Sequence, residues 1–169
     1  YGNETLVDAI TKTIQEETHD NQLFFAYLGA DALKNPPPLG FFRQFLVESD
    51  GVHNDTFDLK GRALMPLIDA ARILSLGKGI KNTANTISRY AKLAELEPQN
   101  APIYEACGDA FAELLKFRTE EGLKNDSDGR YLNLSELSKL DKVKLKNDFQ
   151  PIHDIQEVIK NRFQLTYFT

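Results

Sequence analysis

An all-α fold, an irregular helical bundle with at most one small β-hairpin near residues 41–60, is the class this sequence predicts. Three observations carry that expectation. Apolar residues recur at helical spacing through most of the chain. Clusters of Pro, Gly, Asn and Asp punctuate the periodic segments. Period-two alternation, the mark of a half-buried strand, is confined to Thr56-Phe57-Asp58-Leu59-Lys60.

The elements follow in order. Asn3 or Thr5 caps a first helix running to about His19, with Leu6, Ala9, Ile10, Thr13 and Ile14 on one stripe. Asp20 caps a second, whose apolar face is Leu23, Phe24, Tyr27 and Leu28, with Ala30 and Leu33 near its end. Asn35-Pro36-Pro37-Pro38-Leu39-Gly40 stops that helix, because prolines fix φ and remove donors. The segments Phe41–Val47 and Thr56–Lys60 flank the turn-forming Glu48-Ser49-Asp50-Gly51 and are the limbs of the expected hairpin. Leu64, Leu67, Ile68, Ala71 and Leu74 mark a helix ending near Leu76-Gly77, with Pro66 in its first turn. After the break at Lys78-Gly79-Ile80, Thr83 or Asn85 caps a helix through Leu96. Glu97-Pro98 interrupts, and a long helix follows from about Pro102 to Lys124. Asn125 to Arg130 is a polar loop. Ser138 and Asp141 have the spacing of a capping box, opening a final helix toward Gln164 that Pro151 should kink.

Size and composition bound the function. The 169 residues, 41% apolar and 27% charged, make one domain with a core large enough to need no staples. Net charge is −5, which disfavours nucleic-acid binding through a broad basic face but leaves room for a local basic cluster on a phosphate-bearing ligand. No apolar run approaches the ~20 residues of a membrane span. The first residues show no signal-peptide pattern, and the single cysteine, Cys107, cannot form an internal disulfide. A cytoplasmic location and no membrane partner are expected. The opening at Tyr1, without an initiator methionine, suggests a fragment of a longer chain.

Several motifs have a functional and a bland reading. Glu16-Glu17-Thr18-His19 contains Glu-x-x-His, a spacing used in di-iron bundles, but no second copy occurs. It reads as a solvated helix end. Asp50, His53, Asp55 and Asp58 crowd one segment. The turn explains the first three, whereas Asp58 lies within the alternating stretch. Asp126-Ser127-Asp128-Gly129 lacks the later glutamate of a calcium loop. Cys107, between Ala106 and Ala110, reads as a small buried hydrophobe. Arg118 continues the stripe Tyr104, Cys107, Phe111, Leu114, and so either snorkels, pairs with an acid or points into a ligand site. There is no glycine-rich phosphate loop, and no Gly-Ser followed by Asp-x-Asp.

The stretch Asp58-Leu59-Lys60-Gly61-Arg62-Ala63-Leu64-Met65-Pro66-Leu67-Ile68-Asp69-Ala70-Ala71-Arg72 resembles the signature of the nucleotidyltransferase substrate-binding domain family. Domains of that family end bacterial signal-transduction proteins that carry sensor modules and a catalytic domain similar to PII-uridylyltransferase. The resemblance extends over nearly the whole chain. Pro37 to Phe42 is similar to the family's proline-rich entry to its first strand. Thr86 and Arg89 match a Thr-x-x-Arg, and Phe117-Arg118 an arginine in the long helix. Asn133, Leu137-Ser138, Leu145-Lys146 and Gln156 follow its C-terminal pattern, and Tyr1-Gly2-Asn3 resembles the seam after the catalytic domain. Glu121-Gly122 departs from it, standing where the family carries His-Gln.

The resemblance implies a single substrate-binding domain over residues 1–169, cut from a nucleotidyltransferase whose catalytic residues lie upstream. The fragment itself is expected to have no catalytic residues, metal or cofactor. Mg and a nucleoside triphosphate are implied for the parent enzyme. The implied partners are the upstream nucleotidyltransferase and sensor domains and a protein or small-molecule acceptor. Asp58, Lys60, Arg62, Asp69, Arg72, Arg89 and Arg118 are the candidate substrate-binding or domain-interface residues. The first five are expected to form one polar cluster, since 58 and 60 share a strand face and 69 and 72 a helix face. The alternative is a non-catalytic interaction or signal-relay module, in which those charges only pair among themselves.

Overall fold

A computed structural model describes residues 4–18, 21–35, 38–40, 43–49, 51–81 and 83–165. His19, Asp20, Pro36, Pro37, Phe41, Phe42 and Asp50 lie outside the described residues. With them lie the Glu-x-x-His reading, the expected Asp20 cap and part of the proline-rich entry. So do Tyr1 to Asn3.

The all-α expectation holds. In chain order the elements are α1 (Glu4–Thr18), α2 (Gln22–Ala32), strand β1 (Thr56–Asp58), a π-helical turn (Lys60–Leu64) running directly into α3 (Met65–Gly77), α4 (Thr86–Leu96), α5 (Ala101–Asn125), β2 (Tyr131–Asn133), α6 (Lys139–Asp148) and α7 (Gln150–Arg162). Single 3₁₀ turns precede β1, α5 and α6. Local chemistry explains the boundaries. Asn21 caps α2 by accepting the Phe24 N–H at 2.9 Å. Asn85 caps α4 through the Ser88 N–H at 2.7 Å. Ser138 caps α6 through the Asp141 N–H at 3.1 Å. Pro102 sits in the first turn of α5, where the missing N–H has no helical partner to lose, and Pro66 in the first turn of α3, directly after the π turn.

Two expectations are corrected. The sheet is not a hairpin within 41–60: β1 pairs antiparallel with β2, in the register Thr56↔Asn133, Phe57↔Leu132, Asp58↔Tyr131. The turn does close, with Glu48 and Asp55–Thr56 exchanging two backbone hydrogen bonds of 2.9 Å. The ladder stops there because the upstream limb folds back on its own entry, through a Leu39↔Phe45 bridge. Phe57 and Leu132 are both fully buried, so burial selects the distant partner. Pro151 does not kink one long helix. It stands in the first turn of α7, and the chain breaks at Phe149, whose ring fills the joint against Phe57.

The core lies where α3, α4, α5 and α7 meet. Leu67, Ala70, Ala71 and Leu74 of α3 join Tyr90 and Leu93 of α4, Tyr104, Cys107 and Leu114 of α5, and Ile152, Ile155 and Ile159 of α7. Small residues on α3 allow close helix approach, and Tyr90 satisfies its hydroxyl by donating to the Leu67 carbonyl at 2.7 Å. The stripe on α1 is different. Leu6, Val7, Ile10 and Ile14 remain exposed, as do Leu23 and Tyr27 on α2.

Candidate functional site

Asp58 ends β1 and is 8% exposed. Arg130 grips its carboxylate with two bonds, Nε to Oδ1 at 3.1 Å and Nη2 to Oδ2 at 2.7 Å. The Gly61 N–H donates to Oδ1 at 2.8 Å and starts the π turn. Burial pushes this carboxyl up, but Arg130, Gly61 and the nearby Arg62 together hold it below the ordinary value. Arg62 in turn bonds Glu48, at 3.1 Å through Nε and 3.0 Å through Nη2. Lys60 opens the π turn and is half-buried.

Beside this junction a cleft of about 630 Å³ is lined by His53, Thr56, Glu121, Asn125, Ser127, Asp128, Arg130, Tyr131, Asn133 and Glu136. His53 stacks on Tyr131 with centroids 3.6 Å apart, and the Arg130 guanidinium lies 4.9 Å from the same ring. Of the three carboxylates that line the cleft, Glu136 pairs with Lys124 and Asp128 with Arg118, which leaves Glu121 beside a guanidinium already held by Asp58. The cleft's charge therefore suits a cationic or neutral group better than a phosphate.

Asp69, Arg72 and Arg89 lie in a second place. Asp69 accepts from Asn35 at 3.2 Å, and Arg72 stands 3.7 Å from its other oxygen. Arg72 and Arg89 border a pocket of about 310 Å³ that is also lined by Thr11, Ile14, Gln15, Ser75, Leu76, Ile80 and Thr83. Burial and the neighbouring Arg72 both pull the Arg89 guanidinium below its ordinary pKa. Among the described residues the Arg89 side chain makes no hydrogen bond or ion pair. The single cluster expected from sequence is thus resolved into two groups. Asp58 and Arg62 gather with Arg130 and Glu48; Asp69 and Arg72 gather with Asn35 and Arg89.

Arg118 takes the paired alternative. Its Nε donates to the Asp128 carbonyl at 2.9 Å, and Nη2 lies 3.7 Å from the Asp128 carboxylate. It pins the loop 126–129 to α5. That loop approaches the helix so closely that a Cβ on Gly122 would come within 2.9 Å of the Ser127 carbonyl, and one on Gly129 within 1.9 Å of the Arg118 carbonyl. The departure Glu121-Gly122 from the family's His-Gln is therefore where this loop packs.

Two groups escaped sequence reasoning. Arg130 looked like the end of a polar loop; only the sheet register puts it opposite Asp58. Glu97 looked like punctuation before Pro98. It is 3% exposed and gathers Lys78 at 2.6 Å, Arg162 at 2.5 Å, Asn100 at 3.3 Å and the Tyr104 hydroxyl. Burial opposes ionisation there, yet these donors hold its carboxyl down at about 2. The group ties the ends of α3, α4 and α7 to the start of α5 and has no open face for chemistry. Burial pushes the Cys107 thiol up to about 12, as suits an inert core residue. Among the described residues no three His, Cys, Asp or Glu side chains converge as metal ligands.

No curated protein and no solved structure matches the chain. A family model, described as "Putative nucleotidyltransferase substrate binding domain", matches residues 22–163, from the start of α2 to the end of α7. The chain belongs to that family of nucleotidyltransferase substrate-binding domains.

Proposed function

We propose that this chain positions the acceptor substrate of a bacterial, cytoplasmic signalling nucleotidyltransferase whose catalytic domain is similar to PII-uridylyltransferase. The carrying observation is the family match across residues 22–163. Nucleotidyl transfer depends on holding two reactants in line and stabilising phosphate charge, so a separate positioning domain is chemically reasonable. Mg and a nucleoside triphosphate belong, in this reading, to the upstream domain. The carboxylates here do not fit that metal, because those described do not converge, and no step through it is assigned to this chain. The test is transfer by the chain joined to such a catalytic domain. Arg72→Gln or Arg89→Gln should lower transfer while leaving the thermal midpoint nearly unchanged, and the 169-residue chain alone should transfer nothing. Full transfer by both variants would refute the reading.

One observation favours the second reading, a non-catalytic relay module. The exposed apolar stripe Leu6, Val7, Ile10 and Ile14 on α1 is the kind of surface a partner covers. Under that reading Leu6→Glu with Ile10→Glu would abolish signalling output and leave transfer intact.

A further inference from the structure

We propose that the pocket between α1, α3 and the start of α4 binds a phosphate group, held by the guanidinium groups of Arg72 and Arg89 and the hydroxyl of Ser75. Three independent features meet there.

The first is charge. Arg72 and Arg89 are near enough to repel, and both line the pocket. Among the described residues Arg89 has no acid, and Arg72 has only Asp69 at 3.7 Å, a distance too long for a good hydrogen bond. Asp69 is itself engaged by Asn35. Arg89 is half-buried and Arg72 exposed, and two like charges brought together raise the energy of the fold unless an anion joins them. A phosphate can accept from both planar forks at once.

The second is an unmet hydroxyl. Ser75 is 3% exposed, and its Oγ has no hydrogen-bond partner among the described residues. It lies one helical turn beyond Arg72 and lines the same pocket. The atom has almost no open surface, so a turn of its side chain toward the pocket is needed before an oxyanion there supplies the acceptor.

The third is shape. Arg89 rises from the first turn of α4, where the helix dipole favours negative charge. Ile14, Leu76 and Ile80 supply the apolar part of its lining. A volume of about 310 Å³ exceeds what a bare phosphate fills, so the organic part of a phosphorylated small molecule has a place to rest. The cleft by Arg130 is larger, but its arginine is already held by Asp58.

The proposal rests on the substrate-positioning reading only for which ligand is biologically relevant. Transfer activity tests that reading; direct binding to this chain tests the pocket, so the two can fail separately. Calorimetry on the full chain would use inorganic phosphate, pyrophosphate and a nucleoside triphosphate as probes, with amide chemical-shift mapping to locate them. Millimolar or tighter binding is expected, with shifts in α3 and the first turn of α4. Arg72→Gln and Arg89→Gln should each weaken it by about tenfold, the loss of one charge-assisted fork, and Ser75→Ala by about threefold. A nucleotide bound more tightly than inorganic phosphate would identify an organic phosphate as the ligand; equal affinity would identify the free anion. No binding at millimolar concentration, shifts confined to another part of the chain, or equal affinity in wild type and all three folded variants would overturn the proposal.

Discussion

Replacing Glu97 tests whether a buried charge centre holds the bundle's ends together. Its carboxyl is displaced from an ordinary 4.5 to about 2 by Lys78, Tyr104 and Arg162 acting against burial. At ~1.4 kcal/mol per pH unit this is worth about 3 kcal/mol, or about 2–3 once the screening of the more exposed Lys78 arm is discounted. The sign follows from linkage: a depressed folded pKa contributes stability that is full above the unfolded value and is lost as pH falls toward 2. Glu97→Gln keeps the shape and removes the charge, so it should lose about 2–3 kcal/mol at neutral pH. Glu97→Ala should lose about 3–5 kcal/mol, because it strands Arg162, whose Nη1 is already buried without a partner. For a chain of this size that lowers the midpoint by about 8–15 °C. Urea unfolding followed by circular dichroism, repeated from pH 7 to pH 2, reads both effects. Asp58 is also held below its ordinary value, so the informative quantity is the difference between wild type and Glu97→Gln, which should shrink as the solution is acidified. A variant within about 0.5 kcal/mol of wild type at neutral pH, the ordinary scatter of surface substitutions, or a difference that does not change with pH, would refute the reasoning.

Other substitutions probe other contacts. Gly129→Ala places a Cβ 1.9 Å from the Arg118 carbonyl at a φ of +65° and should cost about 2 kcal/mol or more, read as a lowered thermal midpoint. Asp148 is pushed up to about 6 by burial and by Glu113 against Lys144, so its ionised form opposes folding. Asp148→Asn should therefore stabilise the chain by about 1–2 kcal/mol at pH 7 and by little below pH 4 in denaturant titrations. Cys107 should resist a thiol reagent at pH 8 in the native chain and react at once in urea, because its thiol stays protonated until about pH 12 and is buried.

What could be read in the sequence was local. Asn85 and Ser138 announced their helices because a cap is a contact three residues long, and Pro66 marked a first turn for the same reason. Asp69 and Arg72 were rightly placed together because three residues on a helix make neighbours. Half of the sheet was legible: the alternation at 56–60 marked β1, but its partner β2 has only three residues, too few for a period to show, and lies more than seventy residues away in the chain. Arg130 was missed with it, since nothing near it in sequence needs an arginine. Glu97 and Arg162 are likewise a long-range pair. The apolar stripe of α1 predicted a helix correctly, but a stripe cannot say whether anything covers it.

The π turn at Lys60–Leu64 acts as a phase adjuster between sheet and bundle. An α-helix turns about 100° per residue, so accommodating one extra residue sets the angle at which everything before it leaves α3. With that phase, Asp58 faces Arg130 while Leu64 and Leu67 still face the core. Removing a single residue there would relax the turn to ordinary helix. It would keep every hydrophobic contact of α3 and swing the strand by about 100°, away from its arginine. The segment is therefore a gear tooth of fixed count: a change of side chain within it is a local event, but a change of length would disengage the sheet from the bundle.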